Sequence, residues 1–167
     1  MQIFFQLANH LISFSLFHVP NKFLNFSIYL QGYSSETQIV ANLLAVDGTN
    51  FPDVLALNCA SAALSLSNIP WNGPIGAARV GYSKSRKEFI TNPTRKELSE
   101  SSLNLVLAGT KSKLTVMLEA EASNVSKELF IDGIHHGLEA CQLVANAIAQ
   151  EAVKSGKPKR IVAGATR

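Results

Sequence analysis

The sequence predicts a mixed α/β domain of the α+β kind: a partial βαβ-type unit, a small sheet of short strands, and one long C-terminal helix. Three observations predict it. Within 36–46 an apolar run from Ile39, broken only by Asn42, stops at Asp47-Gly48. A helical stretch dense in small residues follows, from Pro52 to about Ser67. From Ile75 the apolar period falls to two, and from about Ser126 it lengthens to three and four.

A chain of 167 residues, 47% hydrophobic and 16% charged, can bury one sizeable core or two small ones. A net charge of +3 permits a polyanionic partner without requiring one. Basic residues are spread out except in Lys84–Lys87 and Lys157–Arg160, and both groups read as solvated surface. Cys59 and Cys141 lie far apart in apolar helical patterns, with no Cys-x-x-Cys or Cys/His cluster to suggest zinc. Such thiols read as reduced and buried, which fits an intracellular protein. Two matches to the glycosylation acceptor pattern, at Asn25 and Asn124, stand without other signs of secretion and read as chance.

Residues 1–31 carry one charge, Lys22, amid many Phe, Leu and Ile. They lack the basic start of a signal peptide and the arginines of a transit peptide, and polar residues interrupt the run before it could span a membrane. The segment fits no targeting class, and a mis-assigned gene start or a retained non-coding stretch is the expectation for it. Residues 36–46 read as a strand apolar on both faces, Ile39, Ala41, Leu43 and Ala45 against Val40, Leu44 and Val46. Asp47-Gly48 has turn chemistry. Pro52 suits the first helical position and Asp53 the first turn of the helix that follows. Ala56, Ala60, Ser61, Ala62 and Ala63 keep that helix slim enough to lie close to a sheet. Ile69–Pro74 is a loop anchored by Trp71.

Strands are expected at Ile75–Tyr82, Glu88–Thr91, Leu103–Ala108 and Leu114–Leu118, the third with an all-leucine face at 103, 105 and 107. The last helix runs from an N-cap at Ser126 to Lys154, before the Gly156 and Pro158 stop. Phe130, Ile134, Leu138, Cys141, Ala145 and Ile148 form its apolar stripe, and Gly133 and Gly137 are positions where it can bend.

No familiar catalytic pattern is present. Gly73-Pro-Ile-Gly76 lacks the lysine and the strand-to-helix context of a phosphate loop. No nucleophile elbow or Ser/His/Asp set exists. His135 and His136 are neighbours on a helix and cannot face one metal. Glu119 and Glu121 can point the same way but lack a third ligand, and a solvated edge is the plainer reading. From the residues alone this is an α/β domain without a catalytic constellation.

Several segments carry a more specific signal: Asn42-Leu-Leu-Ala-Val-Asp-Gly48, Pro52-Asp-Val-Leu-Ala56 with Ala60-Ser-Ala-Ala-Leu-Ser-Leu-Ser67, and Ile69-Pro-Trp-Asn-Gly-Pro-Ile-Gly-Ala-Ala-Arg-Val-Gly81. Asn92-Pro-Thr-Arg-Lys-Glu97, Leu103-Asn-Leu-Val-Leu-Ala-Gly109 and Val116-Met-Leu-Glu-Ala120 continue it in order. In these the chain resembles polyribonucleotide phosphorylase (polyribonucleotide nucleotidyltransferase), especially the mitochondrial animal type, from Gly32 to about Pro158.

The resemblance implies an RNase PH-like fold. Residues 32–72 would be the C-terminal part of RNase PH domain 1, 73–156 RNase PH domain 2, and 157–167 a basic tail or linker, with 1–31 unmatched. Members of the family have two tandem RNase PH-like halves, and three subunits form a ring around a channel that admits RNA. Inorganic phosphate attacks the 3′-terminal phosphodiester, and only the second half is catalytic. The present chain resembles the first half. Where the active half has Gly-Ser-Ser after the turn, this chain has Gly48-Thr-Asn-Phe51 and then Pro52. Where the active half has Asp-Met-Asp-Phe-Lys, it has Ser102-Leu-Asn-Leu-Val106, so Asn104 replaces a metal-binding carboxylate and Val106 an ammonium.

The resemblance therefore implies no catalytic and no metal residues in this half, with Mg2+ and phosphate belonging to the second half. It implies RNA contacts at Arg95, Lys96 and Arg79, Arg79 being equally suited to a structural ion pair. Implied partners are RNA, the second RNase PH-like half and two further subunits in a homotrimer, with no membrane. The implied location is mitochondrial, or cytoplasmic in the absence of a recognisable transit peptide. Residues 1–31 do not match the strands and the Phe-Phe-Arg-Arg loop that open the family's first half, so an exposed sheet edge is expected. The alternative is a stand-alone, non-catalytic RNA-binding or exosome-ring-like subunit.

Overall fold

The computed structural model describes residues 3–4, 37 and 39–161. In chain order these form β1 (Ile3–Phe4), β2 (Asn42–Leu43), α1 (Pro52–Leu66), β3 (Ile75–Ser83), β4 (Glu88–Thr91), α2 (Arg95–Ser99), β5 (Leu103–Thr110), β6 (Thr115–Ala122) and α3 (Lys127–Ser155). Strands β3 to β6 make one antiparallel sheet in the order β4-β3-β5-β6, with α1 on one face and α3 on the other. No helix among the described residues is long and apolar enough to cross a membrane. The expectation for 1–31 lies outside the described residues except at Ile3–Phe4.

Alternation along β3 and β5 divides the core in two. Ala78, Val80, Leu103, Leu105 and Leu107 turn toward Leu138 and Cys141 of α3. Ile75, Ala77, Val106 and Ala108 turn toward Val54, Leu57, Ala60 and Leu64 of α1, with Trp71 closing that side. Each leucine on the α3 face is fully buried, and each contributes roughly 1.5–3 kcal/mol. Helix α3 is unbroken through Gly133 and Gly137, and both glycines serve contact. With Cys141 and Ala145 they fall four apart on one stripe, where a Cβ on Gly137 would lie 2.4 Å from Leu107. Gly76 of β3 meets the same helix: its Cβ would stand 2.1 Å from the Cys141 carbonyl oxygen. Burial pushes the Cys141 thiol up to about 11, so it is an inert packing group.

Helix α1 does more than pack. Strand β4 pairs with β3 only over Val80–Ser83, which leaves the backbone of Ile75, Ala77 and Arg79 without a strand on that side among the described residues. Side chains complete the ladder. Ser61 Oγ donates to the Ile75 carbonyl at 2.6 Å and accepts from its N–H at 3.0 Å. Asn58 does the same for Ala77, at 3.0 and 2.7 Å. Asn92 Oδ1 accepts from the Arg79 N–H at 2.9 Å, and its backbone N–H donates to the Arg79 carbonyl at 2.7 Å.

Three expectations need correction. The strand foreseen over 36–46 shrinks to Asn42–Leu43, paired with Ile3–Phe4. Ile39 and Ala41 are buried, but Leu43, Leu44 and Val46 are exposed. A strand apolar on both faces needs cover on both, and a two-residue ladder leaves this run uncovered. No element is foreseen between Thr91 and Leu103, yet Arg95–Ser99 form α2, nucleated by a Thr94/Glu97 capping box. The Lys157–Arg160 group, read as solvated, fastens the end of α1. Lys159 Nζ donates to the carbonyls of Leu64, Ser65 and Ser67 at 2.7–2.9 Å, supplying the cation that α1's last turn lacks. Lys157 and Arg160 N–H groups bond to Leu66 and Asn68 carbonyls beside it.

Candidate functional site

The polar groups of this protein converge where α1 begins, on the α1 face of the sheet. The Asp47 carboxylate closes the preceding turn by accepting from the N–H groups of Thr49 and Asn50, both at 2.9 Å, and from the Asn50 side chain at 2.6 Å. These bonds, the Asn50 N–H foremost, hold Asp47 down at about 2. Gly48 takes the positive φ of 73° that the turn requires. The turn delivers Phe51 to the N-cap of α1, with Pro52 at the first helical position and Asp53 in the first turn, as the sequence predicts.

Two guanidiniums sit over the Phe51 ring, Arg79 at 4.4 Å and Arg95 at 4.5 Å from its centroid. They differ in everything else. Arg79 projects from β3 onto the α1 face, is 7% exposed, and donates to both the Asp53 carboxylate and Asn104 Oδ1. Its Nε is buried with no partner among the described residues. Arg95 is exposed in the first turn of α2 and makes no ion pair among the described residues. Lys96 beside it is also exposed. The capping box fixes α2: the Thr94 N–H donates to Glu97 Oε2 at 2.9 Å, and the Glu97 N–H to Thr94 Oγ1 at 3.3 Å. The Arg95 N–H also donates to the Thr49 carbonyl at 2.9 Å, tying α2 to the turn. Thr94's N–H is the main cause that lowers the Glu97 carboxyl below its usual range, with Arg86 adding a little.

Clefts border Phe51. The larger, about 480 Å³, is lined by Phe51, Arg95, Ser102, Asn104 and Glu121 among others. A smaller one of about 330 Å³ reaches Asp47, Asn58, Arg79 and Asn92. Strand register explains the larger cleft. Asn104 of β5 lies directly opposite Glu121 of β6, so the two side chains emerge as neighbours on one face. Glu121 is exposed and has no hydrogen-bond or ion-pair partner among the described residues. Ser102 is 7% exposed and its hydroxyl is buried without a partner among the described residues.

The structure thus brings Arg79 and Arg95 together over one ring and leaves Lys96 alongside on the surface. Glu119 and Glu121 share a face, Glu119 opposite Val106. His136 bonds Thr91 at 2.9 Å and stacks on Phe89, while His135 is exposed. Among the described residues no group of three His, Cys, Asp or Glu could hold a metal ion. Phe51, Ser102 and Glu121 are the site members that sequence reasoning did not assemble. The Thr94-x-x-Glu97 spacing was the available signal for α2, and the leucine alternation of β5 implied that Asn104 faces away from α3.

Comparison with known proteins agrees with this architecture. Residues 73–140 match the family model described as "3′ exoribonuclease family, domain 2". Among solved structures the chain is similar to rice (Oryza sativa) Rrp46, with a TM-score of 0.62 and 21% sequence identity. The match covers 76% of this chain and 60% of that one, so the chain spans about three fifths of that structure's length. The fold is RNase PH-like: a small antiparallel sheet backed by a long C-terminal helix.

Proposed function

We propose that this chain is the non-catalytic first RNase PH-like half of a polyribonucleotide nucleotidyltransferase, a phosphate-dependent 3′→5′ exoribonuclease of mitochondria. In this reading it serves as ring scaffold and RNA guide, with residues 32–72 as the C-terminal part of RNase PH domain 1 and 73–156 as RNase PH domain 2 of that half. The observation that carries the reading is the state of Asn104. At the position that resembles a metal-binding carboxylate, a neutral amide accepts a hydrogen bond from Arg79. A dication would meet a guanidinium already seated there, itself paired with Asp53. Val106, where an ammonium would neutralise developing charge, is buried against α1. These residues do not suit Mg2+, which in this reading is held by the second half.

RNA guidance falls to Arg95, which lines the larger cleft, and to its exposed neighbour Lys96 on α2. Arg79 acts as a positioning residue that fixes Phe51 and Asn104. The purified chain, given poly(A), phosphate and Mg2+, is expected to release no ADP, and appreciable release would refute the inactive assignment. Reversing both charges, Arg95→Glu with Lys96→Glu, should weaken RNA binding and reduce the salt slope by about 1–2. An unchanged slope removes them as phosphate contacts. A second reading, a separate non-catalytic ring subunit, shares the Asn104 observation. Long-read sequencing of the transcript divides the two, since an in-frame second half carrying Ser-Ser and Asp-x-Asp-x-Lys sinks it.

A further inference from the structure

We propose that the larger cleft is a subsite for a single RNA nucleotide that selects guanine. The inference rests on the RNA reading above and adds base specificity to it. A volume of about 480 Å³ falls in the range of small-molecule sites, of roughly 300–1,000 Å³. The lining carries one cation, Arg95, and one carboxylate, Glu121, each without an ion-pair partner among the described residues. Opposite charges in one cleft gain little from a bare phosphate or a metal ion. They favour a ligand that presents acceptors to one side and donors to the other.

The ladder register sets which ligand. Because Asn104 Oδ1 is taken by Arg79, Asn104 offers its NH2 group, a donor. Glu121, opposite it in the ladder, offers two carboxylate oxygens, acceptors only. The edge read is therefore one donor beside two acceptors. Guanine presents the complement: O6 to accept, then N1–H and the N2 amine to donate. Adenine and cytosine place a ring nitrogen lone pair next to their single amine, and uracil sets its O2 against the second carboxylate oxygen. Arg95, seated over Phe51, supplies a guanidinium on which the base can stack.

The test titrates GMP, AMP, CMP, UMP and inorganic phosphate into the full chain, following backbone amide shifts and binding heat. GMP should bind about tenfold tighter than the other nucleotides, with the largest shifts at Ser102, Asn104 and Glu121. Glu121→Gln should abolish that preference without moving the thermal midpoint. In parallel, a U-rich 12-mer with one 3′ guanosine is compared with its all-uridine counterpart. Equal affinity for all four nucleotides, phosphate binding as tightly as GMP, or a preference that survives Glu121→Gln overturns the proposal. RNA binding that depends on Arg95 and Lys96 would still stand in those cases. Failure to bind either RNA overturns the guidance role as well.

Discussion

The two faces of the four-stranded sheet are made by the same strands and have opposite characters. Toward α3, Leu103, Leu105, Leu107 and Val80 are sealed by a helix that presents Gly133, Gly137, Cys141 and Ala145. That face is dry and closely fitted. Toward α1, one step along each strand, stand Arg79 and Asn104, with Glu121 beside them on β6. There a buried cation pairs with Asp53, and two buried polar atoms lack partners among the described residues. Strand pleating thus lets one sheet devote one side to holding the fold and the other to a polar site.

The contrast can be broken most severely at Gly76. Its side chain would strike backbone in α3, not a flexible side-chain tip, so Gly76→Val should cost about 3 kcal/mol or more and shows as a lowered urea midpoint. Next comes Leu105→Ala, expected to cost roughly 2–5 kcal/mol by cavity formation. Arg79→Met should cost less, about 1–2 kcal/mol, because Asp53 is 36% exposed and water can resolvate it. If Arg79→Met proved costlier than Leu105→Ala, the division of labour between the faces would fail.

The smallest effect concerns pH. The Asp47 carboxyl titrates at about 2 in the folded chain, against an ordinary 3.8. Its contribution is therefore present above pH 3.8 and is lost as the pH falls through about 2. Asp47→Asn should flatten the acid limb of the stability curve in that window and lower stability at neutral pH, where the charge contributes in full. An identical acid limb in wild type and variant would show that the turn does not depend on that charge.

What the sequence disclosed depended on how far apart the partners lie. The strands from Ile75 onward and the span of α3 were legible from alternation and from three- and four-residue spacing, since each is a local pattern facing one helix or sheet. The slim side of α1 was legible too, but not the use of Asn58 and Ser61. Those become ladder partners only because β4 stops at Thr91, a fact of tertiary arrangement. Lys159 looked like solvated charge because its three carbonyl partners lie more than ninety positions earlier. The 36–46 run misled for the converse reason: its composition states a need for cover, and the fold leaves much of it unmet. At the site, Asn104 could be flagged from sequence, but Phe51 between two arginines and Glu121 opposite Asn104 are products of register.

The side-chain ladder along β3 also governs growth of the sheet. With Ser61, Asn58 and Asn92 occupying the backbone of Ile75, Ala77 and Arg79, that border cannot recruit another strand. Among the described residues, β4 has a free border of four residues, while β6 has one of eight, Thr115–Ala122, flanked by exposed Leu114 and carrying exposed Leu118. Strand addition, productive or aggregating, is thereby directed to the β6 border, the side on which Glu121 stands.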